Sequence, residues 1–155
     1  MQAVSAITTG FRADPDQHQM FHWTNRLAET GSWAGAFGVA SLYRDGMGTA
    51  SDMVAADTWF IIASARADLT QDAMAQKDIA LAKAEFAGTS KLGPIEELDA
   101  EQDARQMEAV AKAGAAQARA ETTKLEAKLA ASQIADAHSR AESWLAGHAN
   151  IPAVD

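Results

Sequence analysis

"ASLYRDGMGTASDMVAADTWF", residues 40–60, joins the end of one amphipathic stretch to the start of another through a turn that contains two glycines. Gly46 can take the positive φ that ends an α-helix, and Gly48 permits the sharp reversal that follows. Ser51 or Asp52 can then cap the next helix. A phosphate-binding loop is the alternative, but the stretch lacks a preceding strand, a third glycine and the lysine of such loops. We therefore interpret it as a corner between two helices.

Apolar residues recur at helical spacing on both sides of this corner. A first helix is predicted to begin near Asp14, which can cap it before Pro15, and to end at Gly31. Ser32 can cap a second helix, which ends at Gly46. The residues expected to face inward are Met20, Trp23 and Leu27 in the first helix, Trp33, Phe37, Ala40 and Tyr43 in the second, and Ala56, Trp59, Phe60 and Ala63 in the third.

The third helix contains "TWFIIA", residues 58–63, which is apolar nearly all round. Such a helix is expected to pack against neighbours on two sides, so we place it at the centre of the fold. A fourth helix is predicted over residues 70–87, with Thr70 as its cap and Gly88 at its end. Residues 88–94, "GTSKLGP", are the clearest linker, and Pro94 is typical of a helix start.

The rest of the chain is predicted to be helical with little apolar surface. Residues 99–123 have strong helix propensity but only Met107 and Val110 as large apolar side chains, so we expect this helix to be exposed or mobile. A final helix, capped by Ser132, carries a renewed apolar pattern. We expect it to fold back onto the Trp and Phe cluster, because a terminal repeat otherwise exposes its apolar face.

Composition restricts the fold class. The chain has 155 residues, the size of one domain, and only 6% of them are aromatic, so its core must form by close helix packing over small side chains. Apolar and polar residues do not alternate over the length of a strand, while helix-forming residues dominate long tracts. The sequence therefore predicts an all-α protein.

Charge and cysteine content exclude several classes of function. The 21 acidic and 13 basic residues give a net charge of −8, which repels a nucleic-acid backbone. The absence of cysteine excludes thiol catalysis, disulfides and thiolate metal sites. No apolar run is long enough for a membrane span, and the first residues lack the pattern of a secretory signal. We expect a protein of the cytoplasm that is not an integral membrane protein, or one of the periplasm if a signal was removed.

Candidate chemical groups are few. His18 and His22 are four residues apart, as in a metal-binding pair, but the helix offers no third ligand besides acidic residues near its start. Local spacing shows no catalytic nucleophile with a histidine and an acid, and the paired acidic residues near Pro94 fit the positive end of a helix. We assign no catalytic, cofactor-binding or metal-binding residue, and we expect that the protein is not an enzyme.

A repeat connects the first helix to the third. Trp23 and Trp59 are 36 residues apart, which is the period of a helical solenoid. Aligned on them, Leu27 falls opposite Ala63, and Ala28 falls opposite Ser64. A single helix pair of this size cannot bury its inner face, so copies are expected to stack, with each indole in the gap left by small residues.

Residues 23–63 resemble the Sel-one-like repeat family, short relatives of the tetratricopeptide repeats. The positions that fit its pattern are Trp23, Ala28, Gly31, Leu42, Tyr43, Gly46, Gly48, Asp52, Ala56, Trp59, Phe60 and Ala63. Three positions depart from it, since Gly35 and Ser64 stand where alanine is usual and Ala40 stands where glycine is preferred.

The resemblance implies a short α/α superhelix with an extended C-terminal helical tail. We divide the chain into two helix pairs over residues 1–88, a linker and long Ala/Glu-rich helix over residues 89–124, and a terminal capping helix over residues 125–155. Members of this family are non-catalytic protein-binding modules, so the implied role is that of an adaptor or scaffold in a bacterial complex or signalling pathway. The partner is expected to be another protein.

Stacked helix pairs present a concave surface on the first helix of each pair. His22 and Arg26, with their 36-residue equivalents Thr58 and Ile62, are therefore our candidates for protein binding. The alternative for Ile62 is a place in the core. Two other functions stay open, a structural subunit or oligomeriser of a larger assembly and a metal-binding helical protein.

Overall fold

The computed structural model describes residues 15–88 and 94–152, and it contains five α-helices and no β-strand in those ranges. The helices are α1 Pro15–Glu29, α2 Trp33–Asp45, α3 Met53–Phe86, α4 Pro94–Glu126 and α5 Ala131–Gly147. The predicted all-α class is confirmed, as is the helix start at Pro94. Asp14, the expected cap of the first helix, and residues 89–93 of the expected linker lie outside the described residues.

The corner between α2 and α3 is built as its local sequence predicts. Gly46 and Gly48 both have positive φ, at 67° and 73°, and Gly46 forms the C-cap of α2. Asp52 caps α3, because its Oδ1 accepts the backbone N–H of Val54 at 3.0 Å and of Ala55 at 2.9 Å. Ser51 instead donates to the carbonyl of Arg44. The glycine segment is therefore a helix corner.

The core lies where α2 and α3 meet, and α3 is the central helix. Phe60 is fully buried and packs edge to face on Phe37, with ring centroids 5.1 Å apart. Burying one such side chain stabilises the fold by about 1.5–3 kcal/mol. The surrounding buried residues are mostly small: Ala28, Ala36, Ala40, Ala56 and Ala63. Short side chains thus bring the helices close around a few large ones.

The predicted break before a fourth helix at Thr70 is wrong, because α3 continues without interruption to Phe86. Thr70 is buried inside this helix, and its Oγ1 donates to the carbonyl of Arg66 at 3.0 Å, one turn earlier. A threonine hydroxyl can satisfy itself in this way within a helix, so it does not have to act as a cap. The second helix pair expected within residues 1–88 is consequently not a hairpin. Instead, α3 forms a long hairpin with α4.

Residues 99–123 were expected to be exposed or mobile, and the expectation of exposure is wrong for the side of the helix that faces α3. Helix α4 lies along α3 and buries a stripe of small residues, namely Ala104, Ala111, Ala115 and Ala118, followed by Leu125. A count of large apolar side chains does not reveal this stripe, because each alanine buries little area. Alanine nevertheless lets two helix backbones approach closely, and the stripe packs for that reason.

Helix α5 folds back onto α3, as expected from its apolar pattern. Trp144 meets Trp59 with ring centroids 5.7 Å apart at an angle of 63°. The N-cap is Ala130, whose N–H donates to the side chain of Gln133 at 2.9 Å, so the prediction of Ser132 as cap is wrong. Gln133 is the third residue of the helix, and it satisfies the N–H of the N-cap residue, which is the half of a capping box that does not need a serine.

Trp33 at the start of α2 packs on Gly114 of α4. A Cβ built on Gly114 would overlap the six-membered ring of Trp33. The absence of a side chain at this position is what allows the indole to lie against the α4 backbone.

Arg66 is a buried charged residue that joins distant segments. It is 2% exposed, and its guanidinium donates to the carbonyls of Gly31 at 2.7 Å, Ile151 at 3.1 Å and Pro152 at 2.8 Å. The turn between α1 and α2 and the segment after α5 are therefore both attached to the middle of α3. A buried guanidinium with several acceptors is stable only when those acceptors stay in place.

Gly114→Ala should lower the free energy of unfolding by about 1–3 kcal/mol, because Trp33 must move although alanine favours the helix. The matched control is Gly147→Ala in α5, where a Cβ meets nothing within 4 Å. Urea denaturation followed by circular dichroism measures both variants. Equal midpoints for the two would contradict the Trp33 contact.

Arg66→Met should destabilise the protein by about 3–5 kcal/mol, because it removes three charged hydrogen bonds and leaves the buried carbonyl of Gly31 without this donor. Arg140→Met is the control, since Arg140 pairs with Asp136 on the surface of α5 and is expected to cost less than about 1 kcal/mol. A similar loss for both variants in urea denaturation would rule out the joining role of Arg66.

Candidate protein-binding surface

Helix α1 exposes a row of large apolar side chains. Met20, Trp23 and Leu27 are all exposed, and Trp23 has 61% of its surface accessible. Their spacing of three and four residues puts them on one side of the helix. We call these three residues the α1 apolar face.

The prediction that this face points inward is wrong. Helix α1 packs on α2 through other residues: Ala28 is fully buried, and Phe21 contacts Tyr43 with ring centroids 5.2 Å apart. A Cβ added to Gly35 of α2 would lie only 2.6 Å from the backbone nitrogen of Ala28. The two backbones are too close there for a large side chain between them, and the three residues of the α1 apolar face keep 41–61% of their surface accessible.

The 36-residue equivalence of Trp23 and Trp59 does not correspond to equivalent surroundings. Trp59 is half-buried against Trp144. Within the described residues, the ring and cation contacts of Trp23 are all with side chains of its own helix. The expectation that each indole fills a gap between neighbouring hairpins is wrong for Trp23. Helix α1 is an edge helix whose main neighbour is α2.

Two basic side chains flank Trp23. The guanidinium carbon of Arg26 lies 5.5 Å from the centroid of the indole, and the ring of His22 lies 6.0 Å from it at an angle of 68°. Both residues are exposed. Among residues 15–88 and 94–152, no carboxylate forms an ion pair with Arg26, so its charge is available to a partner.

The other two candidate residues lie elsewhere. Thr58 is 7% exposed and Ile62 is 1% exposed, and both line a small cavity of about 260 Å³ beside Trp59 and Trp144. The Oγ1 of Thr58 donates to the carbonyl of Val54 at 2.8 Å. Ile62 therefore lies in the core, as the alternative prediction for it stated. Neither Thr58 nor Ile62 lies on the surface that His22 and Arg26 share.

His18 contacts the backbone of the corner between α2 and α3. Its Nδ1 lies 3.2 Å from the carbonyl of Gly48, so it links α1 to the corner before α3. His22 is beside Trp23 instead. Within the described ranges, no three histidine or acidic residues lie close enough together to hold a metal ion.

Asp57 is a buried acid that the sequence analysis did not single out. It is fully buried, and neither carboxylate oxygen has a hydrogen-bond partner among the described residues. The pKa of Asp57 is raised to about 6, chiefly by burial and also by the negative charge of Glu126, while His138 acts in the opposite direction. Glu126 and His138 contact each other at 2.7 Å between α4 and α5. The sequence signal for the burial of Asp57 was its position between Ala56 and Phe60, two residues predicted to face inward.

The chain has no significant match to a family model, to a curated protein or to a solved structure. In the part of the chain that the structure describes, no helix combines the length and apolar character needed to cross a membrane.

Asp57→Asn should flatten the dependence of stability on pH. The pKa of Asp57 in the folded protein, about 6, is above the value of 3.8 for an unperturbed aspartate, so the folded state binds the proton more tightly. Stability should therefore fall as pH rises from about 4 to about 6 and then level off, with a total loss of about 2–3 kcal/mol. The asparagine variant lacks this loss.

The measurement is the urea midpoint at several pH values between about 4 and 8. Asp72→Asn serves as the control, because Asp72 is an exposed acid on the same helix, and its removal should leave the decline intact. An unchanged decline in Asp57→Asn would show that another group causes the pH dependence.

Proposed function

We propose that this protein is a non-catalytic binding module that docks another protein on the α1 apolar face. The observation that carries the proposal is the 61% exposure of Trp23 next to a guanidinium without a carboxylate partner among the described residues. Trp and Arg are the residues that contribute most to protein–protein interfaces, and large exposed apolar groups in a row typically mark such sites.

The surface has a definite chemistry. The distance from Met20 to Leu27 along the helix is about 10 Å, which is two turns and matches the contact length of one amphipathic helix. Arg26 and His22 favour a carboxylate next to the apolar residues of that helix. The partner is thus a protein that offers a helix with an apolar stripe and an acidic border.

The resemblance of residues 23–63 to Sel-one-like repeats supports the same class of function, an adaptor or scaffold in a bacterial complex. The edge position of α1 supports it further, because a helix at the end of a stack leaves its outer face without a neighbour. Self-association through this face is the alternative, and the net charge of −8 opposes it, since two copies repel each other.

Trp23→Ala should weaken partner binding by roughly 30-fold or more, in line with the loss of about 2 kcal/mol typical of a central tryptophan, and Arg26→Glu should weaken it comparably. Affinity capture from the native cell with quantitative mass spectrometry identifies the partner, and titration of that purified partner measures the affinity. Neither exposed side chain contributes to the core, so circular dichroism should be unchanged.

The controls remove similar groups elsewhere on the surface. Leu69→Ala deletes an exposed apolar residue of α3, and Arg140→Glu reverses a charge on α5, and both should retain the partner. A partner that binds Trp23→Ala as well as the native protein would refute the proposal. If gel filtration instead detects a multimer of this chain that Trp23→Ala dissociates, the function is self-assembly.

A further inference from the structure

A second candidate site is a cavity of about 400 Å³ among α2, α3 and α4. We call it the Trp33 cavity, after the indole that lines it. Its volume is within the range of pockets that bind small molecules, about 300–1,000 Å³. It shares no lining residue with the α1 apolar face.

The walls of the Trp33 cavity are largely apolar and held in place. Trp33 contributes from α2, and Met107 and Val110 contribute from α4. The contact of Trp33 with Gly114 determines where the indole lies. Val110 is 52% exposed, so this wall has apolar surface that no part of the described protein covers.

The polar groups of the cavity differ in whether they have hydrogen-bond or ion-pair partners within the protein. The Oγ of Ser32 accepts the backbone N–H of Gly35 at 3.2 Å, and Thr70 donates to the carbonyl of Arg66. Of the described residues that line the cavity, Asp103 is the only acidic or basic one; it is exposed and forms no ion pair with any of the described basic residues. Asp103 is one turn of α4 from Met107, so the carboxylate borders the apolar wall.

We propose that the Trp33 cavity binds a small organic cation, an ammonium group with an apolar substituent. The Asp103 carboxylate balances the positive charge, and an indole attracts a cation through its ring quadrupole. Met107 and Val110 take the apolar substituent. The same carboxylate, together with the acidic character of the whole chain, disfavours anions.

The test uses benzyltrimethylammonium as the probe, with benzyl alcohol and benzoate as the neutral and anionic analogues. Calorimetric titration of the full chain should give one saturable site for the cation, at least about tenfold weaker binding of the alcohol and none of benzoate. Perturbation of the Trp33 indole N–H signal in NMR spectra, assigned with Trp33→Phe, locates the site.

Asp103→Asn should reduce the affinity for the cation about tenfold and leave the affinity for benzyl alcohol unchanged. Glu142→Gln is the matched control, because it removes one negative charge from an exposed position on α5, which does not line the cavity. The proposal fails if the cation shows no saturable binding up to roughly 10 mM. It also fails if cation and alcohol bind equally, or if Asp103→Asn and Glu142→Gln behave alike.

Discussion

The structure depends on close contact between helix backbones across alanine and glycine. Ala28 meets Gly35 between α1 and α2, a row of alanines joins α4 to α3, and Ala137 and Ala141 are fully buried in α5. Each such contact contributes little, but dense packing along two long helices adds many of them. The few large buried residues, chiefly Phe60 and Ile62, fill what remains.

A tightly packed interior has consequences for Arg66 and Asp57, the basic and acidic residues buried in the part of the chain that the structure describes. Arg66 is satisfied by three backbone carbonyls, so its burial connects the α1–α2 turn and the chain after α5 to the central helix. Asp57 has no such partners among the described residues, so its carboxylate is buried without a hydrogen bond. The first charge therefore stabilises the fold, whereas the second makes its stability depend on pH.

The same packing explains why both proposed binding sites contain a tryptophan. An interior of small residues has little space for an indole, so Trp23 lies outside α1 and Trp33 lies at the border of α4. Next to Trp33, side chains of α2, α3 and α4 line a cavity that they do not fill. Exposed or half-buried indoles beside charged groups are well suited to molecular recognition.

Local features were determined by the sequence alone. The caps at Ser32 and Asp52 and the corner at Gly46 involve only neighbouring residues, so they could be predicted, as could the exposure of polar His22 and Arg26. Only the tertiary structure decided which apolar face of α1 points outward, that α3 continues past residue 70, and that α4 packs through its alanines. Helical periodicity shows that a face is apolar, but the neighbouring helix decides whether that face is buried, because burial depends on how closely the two backbones approach.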